Sequence, residues 1–177
     1  MSDREAERLG RIMAGVLRHF PEKFGLEMDL NGWVNMNDFA VSVQNKNRRM
    51  HWIRPHHFQA ITEVDEKGRY EVKGGMVRAT YAHSVDIELD LPTDDIPDIS
   101  FFPVQRGAED EVLGMGLLPA NRRHVHLSRT FEGAWEAGSV HHDQPVIIEV
   151  DCIRAVADGY VFHRAGHRVI LVEEVPP

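Results

Sequence analysis

The sequence predicts an α+β fold in two lobes, a winged-helix lobe over residues 1–92 and a β-rich lobe over residues 93–177. Three observations predict it. Apolar residues recur at helical spacing through Val64 and are followed by two short apolar runs flanking Lys73-Gly74-Gly75, the pattern of helices closed by a two-stranded wing. From Ser100 onward the periodicity changes to that of short strands. Charge divides in the same way: residues 1–83 hold 13 basic and 11 acidic side chains, residues 84–177 hold 7 and 17. Between the two lies an acidic stretch, Asp86, Glu88, Asp90, Asp94, Asp95 and Asp98, punctuated by Pro92 and Pro97 and free of basic residues from Ser84 to Gln105.

The first helix is announced by Ser2 and Glu5, the spacing of a capping box, and by Leu9, Ile12, Met13, Val16 and Leu17 on one face. Pro21 cannot continue it, so Arg18 and His19 fall at its C-terminal end, where the helix dipole favours cations by about 0.3–1 kcal/mol. Asn31-Gly32 predicts a tight turn. Asn37 or Asp38 then caps a short helix through Val43, and a further helix runs from Pro55 to Val64 with Phe58, Ile61 and Val64 on one face. The wing strands are Arg69–Val72 and Met76–Tyr81. In the second lobe Ser100–Val104, His124–Ser128, Pro145–Val150, Tyr160–Arg164 and Val169–Val175 read as strands, with two helices near Glu109–Met115 and Arg129–Ala137.

Composition excludes several classes. With 42% hydrophobic and 27% charged residues the chain is neither a disordered tail, nor collagen-like, nor a disulfide-framed miniprotein. No apolar run approaches the roughly 20 residues of a membrane span, and no signal-peptide core opens the chain, so a soluble cytoplasmic protein with no membrane contact is expected. Cys152 is the single cysteine, which excludes an internal disulfide. There is no glycine-rich dinucleotide fingerprint, P-loop or repeat. The net charge of −8 argues against a non-specific polyanion coat, but phosphate binding depends on where the cations sit.

Eleven histidines raise the question of a metal. His124 and His126 alternate on a strand and share a face, yet no further ligands follow at a fixed spacing, so no metal site is expected. Arginines are the stronger signal, since a planar, permanently charged fork suits phosphate. Arg122 and Arg123 lead into the strand His124–Ser128. Arg78 lies within an apolar-flanked strand and needs a partner, either a structural carboxylate or a ligand phosphate. Lys46, Arg48, Arg49 and Arg54 form a basic cluster around Trp52, with no acid from Lys46 to His57.

Taken in order, these segments resemble the NAD-dependent tRNA (RNA) 2′-phosphotransferase family, archaeal and bacterial type. Leu17-Arg18-His19-Phe20-Pro21-Glu22, Gly25-Leu26 and Asp29-Leu30-Asn31-Gly32-Trp33-Val34 are similar to its opening. Val77-Arg78-Ala79 with His83-Ser84 resembles its second block, and Gly116-Leu117 with Arg122-Arg123-His124-Val125-His126-Leu127-Ser128 its third. Pro145-Val146, Val150-Asp151, Asp158-Gly159 and Val175-Pro176 are similar to its later landmarks.

The resemblance implies an N-terminal winged-helix RNA lobe, a C-terminal ADP-ribosyltransferase-like lobe that takes NAD as co-substrate, and the removal of an internal 2′-phosphate of the kind left by tRNA splicing. The family's catalytic quartet falls on Arg18, His19, Arg78 and Arg122. In its reaction the RNA 2′-phosphate attacks the nicotinamide ribose C1″ and expels nicotinamide. The ribose O2″ then attacks phosphorus, releasing 2′-hydroxyl RNA and ADP-ribose 1″,2″-cyclic phosphate. Guanidiniums at Arg18, Arg78 and Arg122 suit a phosphate clamp by electrostatic preorganisation, and an imidazole at His19 suits proton transfer in the second step. NAD contacts are expected from Arg122, His124, His126 and Ser128, with Phe101 or Phe102 stacking on a base. RNA contacts are expected from Lys46, Arg48, Arg49 and Arg54. The partners implied are 2′-phosphorylated, tRNA-like RNA and NAD, acting on a monomer. Two departures stand out: the family's Tyr-His-Gly-Thr is replaced within Ile99-Ser100-Phe101-Phe102-Pro103-Val104-Gln105, and its Gln-Gly by Tyr81-Ala82. Two alternatives stand beside this reading: a related enzyme that stops after ADP-ribosyl transfer and so caps phosphorylated nucleic-acid ends, and, motivated by the missing His-Gly-Thr, a non-catalytic winged-helix nucleic-acid binder.

Overall fold

The computed structural model describes residues 1–177 as two compact units, Met1–Asp90 and Leu91–Pro177. The chain is mixed helix and sheet, with one antiparallel sheet in each unit.

In the N-terminal unit the order is α1 (Asp3–Arg18), β1 (Val34–Asn35), α2 (Met36–Lys46), α3 (Pro55–Glu63), β2 (Tyr70–Lys73) and β3 (Met76–Ala79). The Ser2–Glu5 capping box closes at the start of α1, and Leu9, Met13, Val16 and Leu17 are buried as their spacing predicts. They pack with Phe39, Val43, Met50, Ile53, Phe58 and Val77 into one core. Phe39 and Phe58 stack with ring centroids 4.6 Å apart. The three strands pair in the order β1-β3-β2, all antiparallel. Gly74 and Gly75, at φ 56° and 78°, make the turn of the β2–β3 hairpin, a conformation that favours glycine.

Two expectations for this unit are corrected. The cap of α2 is Asn35, not Asn37 or Asp38: its side chain accepts from the Asn37 and Asp38 amides at 2.8 and 3.2 Å. Strand β1 passes straight into α2, so no loop residue is left to serve as cap. Helix α3 stops at Glu63, and Val64 is 74% exposed rather than part of its buried face.

The C-terminal unit runs β4 (Ile99–Val104), α4 (Glu109–Met115), β5 (Val125–Ser128), α5 (Phe131–Ser139), β6 (Val146–Asp151), α6 (Cys152–Ala157), β7 (His163–Ala165) and β8 (Val169–Val172). Its sheet has the order β6-β4-β5-β8-β7, antiparallel throughout. Val125, Leu127, Val150, Ile170 and Val172 form the core with Cys152 and Ala155 of α6 and Phe162. Cys152 lies 3.1 Å from the buried Ser100 hydroxyl, and burial pushes its thiol pKa up. No helix is long and apolar enough to cross a membrane.

Here α6 was not expected, because Val150 to Ala157 continues a strand's apolar character. Asp151 interrupts it by capping the helix through the Arg154 amide at 2.9 Å. The expected strand from Tyr160 begins only at His163, since the Tyr160 amide bonds back to Ala155 at 3.0 Å and closes α6. Strand β8 ends at Val172, and Val175 pairs with Leu117 instead through two backbone bonds of 2.8 and 2.9 Å. That bridge needs Gly116, at φ 80° and ψ −172°, where a Cβ would overlap the Val175 carbonyl oxygen. Gly116→Ala is therefore expected to lower stability by about 1–3 kcal/mol from backbone strain alone, measured by chemical denaturation.

Candidate active site

Arg18 closes α1 and His19 is its C-cap, with the His19 amide donating to Gly15 at 3.0 Å. The next residue, Phe20, folds back against Gly15, where a Cβ would sit 2.7 Å from the ring. The Arg18 carbonyl accepts from the Ser84 amide at 2.9 Å and the Val85 amide at 3.4 Å. The segment after β3 therefore returns to the end of α1 and satisfies a carbonyl that the helix itself leaves over. The Arg18 guanidinium lies over the Tyr81 ring, 5.0 Å from its centroid. Burial raises the Tyr81 phenol pKa, and the Arg18 charge works against that rise. Ser84 also meets the imidazole: its Oγ is 2.8 Å from His19 Nδ1.

Arg78 lies on β3, buried at 7% exposure. Its fork is held on three sides. Nε and Nη2 each donate to Glu71 at 2.7 Å, Nη1 donates to the Asn31 carbonyl at 3.2 Å and also to Asp90, and the guanidinium plane lies 4.5 Å from the Trp33 ring centroid. Glu71 is its cross-strand neighbour on β2, and the Asn31-Gly32 turn supplies the carbonyl. Asp29 builds that turn by accepting from the Asn31 and Trp33 amides, both at 2.9 Å. Of the two partners the sequence leaves open for Arg78, carboxylates fill the role. Burial alone disfavours its charge, but the hydrogen bonds it donates to Asp90 and Glu71 outweigh that and raise the pKa.

Lys46, Arg48, Arg49 and Arg54 are all exposed, between the end of α2 and the start of α3. They are not equivalent. Lys46 lies over Phe24, 5.3 Å from the centroid. Arg54 Nη1 donates to the His51 and Ile53 carbonyls at 2.8 and 2.7 Å, which spends part of its fork on the local turn. Trp52 Nε1 donates to the Arg49 carbonyl at 3.2 Å, and its ring stands edge-on to His57 at 4.9 Å.

In the C-terminal unit Arg122 is exposed in the loop before β5. On β5, Val125 and Leu127 turn to the core while His126 and Ser128 take the other face. Ser128 is opposite Phe101 on β4, so these two share that face. Phe102 lies on the reverse side and packs on the core, so the two phenylalanines are separated. Phe101 meets Phe131 of α5 edge-on at 6.2 Å.

A residue that the sequence reasoning missed lies on the same face. His126 is opposite Leu171, and Leu171 is opposite His163 on the edge strand β7. His163 Nδ1 is buried without a hydrogen-bond partner. Nothing in the local sequence marks it, because its place beside His126 arises from pairing across three strands. Burial lowers the pKa of His163, and burial followed by the charge of His163 lowers that of His124, against a smaller opposing pull from Glu173. Burial, then His56, likewise lowers that of His57 in the N-terminal unit.

Folding therefore favours neutral rings at these positions, and below the usual imidazole pKa of about 6.5 the unfolded chain binds more protons than the folded one. Their contribution is intact above that pH and is lost as pH falls through it. The melting temperature is expected to drop between pH 7.5 and pH 5.5, and a flat profile would contradict the assignment.

A family model described as RNA 2′-phosphotransferase, Tpt1/KptA family, matches residues 4–174. A probable RNA 2′-phosphotransferase of Methanosarcina acetivorans is 40% identical over 177 residues, covering 100% of this chain and 84% of its own. Probable RNA 2′-phosphotransferase 1 of Archaeoglobus fulgidus is 40% identical over 172 residues, 97% of this chain and 78% of the relative. A probable RNA 2′-phosphotransferase of Thermoplasma acidophilum is 33% identical over 178 residues, 100% of this chain and 75% of the relative.

Proposed function

The chain belongs to the RNA 2′-phosphotransferase, Tpt1/KptA family, and from that premise we propose that it is a transferase that removes an internal 2′-phosphate from RNA with NAD as co-substrate. The observation that carries the reading is the meeting of two sequence blocks in the N-terminal unit. The Arg18–His19 helix end is bonded to Ser84, on the segment that continues from the strand bearing Arg78. A guanidinium, an imidazole and a second guanidinium are thus set on one continuous framework of backbone bonds. No metal is required by this donor set, since guanidiniums can carry the phosphate charge.

In this reading the N-terminal unit is a winged-helix RNA lobe, its order α1, β1, α2, α3, β2, β3 matching helices closed by a hairpin wing. Lys46, Arg48 and Arg49 contact the RNA backbone, with Arg54 contributing what its turn leaves over. Arg18 and Arg78 hold the 2′-phosphate. His19 takes up the proton shed by the attacking hydroxyl in the second step and returns it to the departing RNA 2′-oxygen. The C-terminal unit is the ADP-ribosyltransferase-like lobe. Its residues fit a nucleotide: Phe101, His126 and Ser128 share one sheet face, and the buried, unpartnered Nδ1 of His163 offers a polar contact there. Arg122 serves the pyrophosphate side. NAD supplies a ribose carbon made electrophilic by its nicotinamide leaving group.

The test is a product analysis. Purified protein, NAD and a 2′-phosphorylated oligonucleotide are expected to yield 2′-hydroxyl RNA, nicotinamide and ADP-ribose 1″,2″-cyclic phosphate. An unchanged oligonucleotide would overturn the reading. A stable ADP-ribosylated strand as end product would replace it with end capping.

A further inference from the structure

We propose that Ser84 is the positioning residue of His19, fixing the proton of its neutral ring on Nδ1 and so placing the reactive lone pair on Nε2. The proposal deepens the functional reading above and rests on it for its catalytic consequence.

Four contacts converge on one short segment. The Ser84 and Val85 amides both donate to the Arg18 carbonyl, so the backbone of Ser84 is tied to the residue preceding His19. The Ser84 hydroxyl is 2.8 Å from His19 Nδ1 and 3.5 Å from the Arg18 carbonyl oxygen. The Arg18 carbonyl can only accept, so the one arrangement that makes hydrogen bonds of both hydroxyl contacts points the hydroxyl hydrogen at Arg18. The hydroxyl oxygen then presents its lone pair to Nδ1, which must carry a hydrogen to bond to it. In the neutral imidazole that leaves Nε2, across the ring from Ser84, as the basic nitrogen. The contact orients the ring as well as its tautomer. A serine does this without adding charge, whereas a carboxylate at the same place would favour the imidazolium.

The backbone before Ser84 is built for this return. Ala82 has φ 70°, a left-handed conformation that is unfavourable for a non-glycine residue and persists where the surroundings enforce it. Ala82 and His83 are both buried, at 5% and 4% exposure. The turn through them reverses the chain after Tyr81, whose ring carries Arg18. One segment therefore sets both quartet members at the helix end, Arg18 through Tyr81 and its own carbonyl, and His19 through Ser84.

The experiment has a structural arm and a kinetic arm. Nitrogen-15 spectra of histidine-labelled protein at neutral pH, with the His19 signals assigned by their loss in His19→Ala, report the tautomer without RNA or NAD. The native protein and Ser84→Thr are expected to show the Nδ1-protonated tautomer, and Ser84→Ala a shift toward the Nε2-protonated form. Ser84 is exposed, so the alanine variant should fold as the native chain does, checked by its melting curve. Unchanged His19 signals in Ser84→Ala would overturn the proposal whatever the activity.

In the kinetic arm Ser84→Ala is expected to slow conversion of ADP-ribosylated RNA to product by roughly 10- to 100-fold, as misplacement of a positioned group does, and to change the pH profile of that step. Formation of the ADP-ribosylated species should be little affected, and Ser84→Thr should restore the second step. Equal second-step rates and pH profiles in native protein and Ser84→Ala would overturn the positioning role. If the native protein itself leaves 2′-phosphorylated RNA unchanged, the functional reading falls, while the spectra still decide the tautomer.

Discussion

Arg78→Ala is expected to reduce release of 2′-hydroxyl RNA by about 10²–10³-fold and to let ADP-ribosylated RNA accumulate, the size of loss seen when one preorganised donor is removed from a transition-state site. The geometry says why the residue is hard to replace. Glu71 holds Nε and Nη2, Asn31 and Asp90 hold Nη1, and Trp33 supports the plane, so the fork is fixed before any ligand arrives. Arg78→Lys keeps the charge but cannot span Glu71 and a phosphate at once, and should lose nearly as much. Stability should suffer less than activity. Glu71 and Asp90 have side chains 43% and 49% exposed, so water can solvate them when the guanidinium is gone. Asp90 occupies Nη1, where in the proposed reading it competes with an incoming phosphate. Asp90→Asn is therefore expected to lower KM for 2′-phosphorylated RNA while leaving Arg78 on Glu71. Quantifying the intermediate and the product separately, by denaturing gel over a single turnover, checks all three variants.

How much of this could be read in the sequence differs between its parts. Helix α1 was legible to its cap because Ser2, Glu5 and five apolar residues all report on the same local geometry. The hairpin β2–β3 was legible because Gly74-Gly75 specifies its turn. Helix α6 was not, because six residues with strand-like composition carry too little periodicity and only Asp151 marks the change. Among site residues, Arg78 was conspicuous as a charge in an apolar strand, and its partner Glu71 follows from the hairpin register, but Asp90, 12 residues after it, is joined to it by no local pattern. His163 was hidden for the same reason, and so was the contact of Ser84 with His19, although Ser84 stands in the second block. One gains its place from pairing across β8, the other from a chain reversal through Ala82 where the sequence has no glycine to announce it.

Arg122→Ala is expected to leave the fold untouched and to slow formation of the ADP-ribosylated species, again by about 10²-fold or more. The contrast with Arg78 comes from their surroundings. Arg122 is exposed in the loop that precedes β5, while Arg78 is part of a buried network. Truncating an exposed side chain away from caps, cores and strained backbone usually changes stability by no more than about 0.5 kcal/mol. A large loss of rate without a loss of melting temperature therefore has to come from contact with substrate. The two arginines should also separate by step. In Arg78→Ala the intermediate forms and persists, because the phosphate is poorly held when phosphorus is attacked. In Arg122→Ala the intermediate forms slowly and does not accumulate, because a guanidinium serving the pyrophosphate acts before the first bond is made. Raising the NAD concentration should recover part of the Arg122→Ala rate and none of the Arg78→Ala rate. If NAD recovers neither, Arg122 is not a nucleotide contact, and if both variants turn over as the native protein does, the quartet assignment itself is wrong.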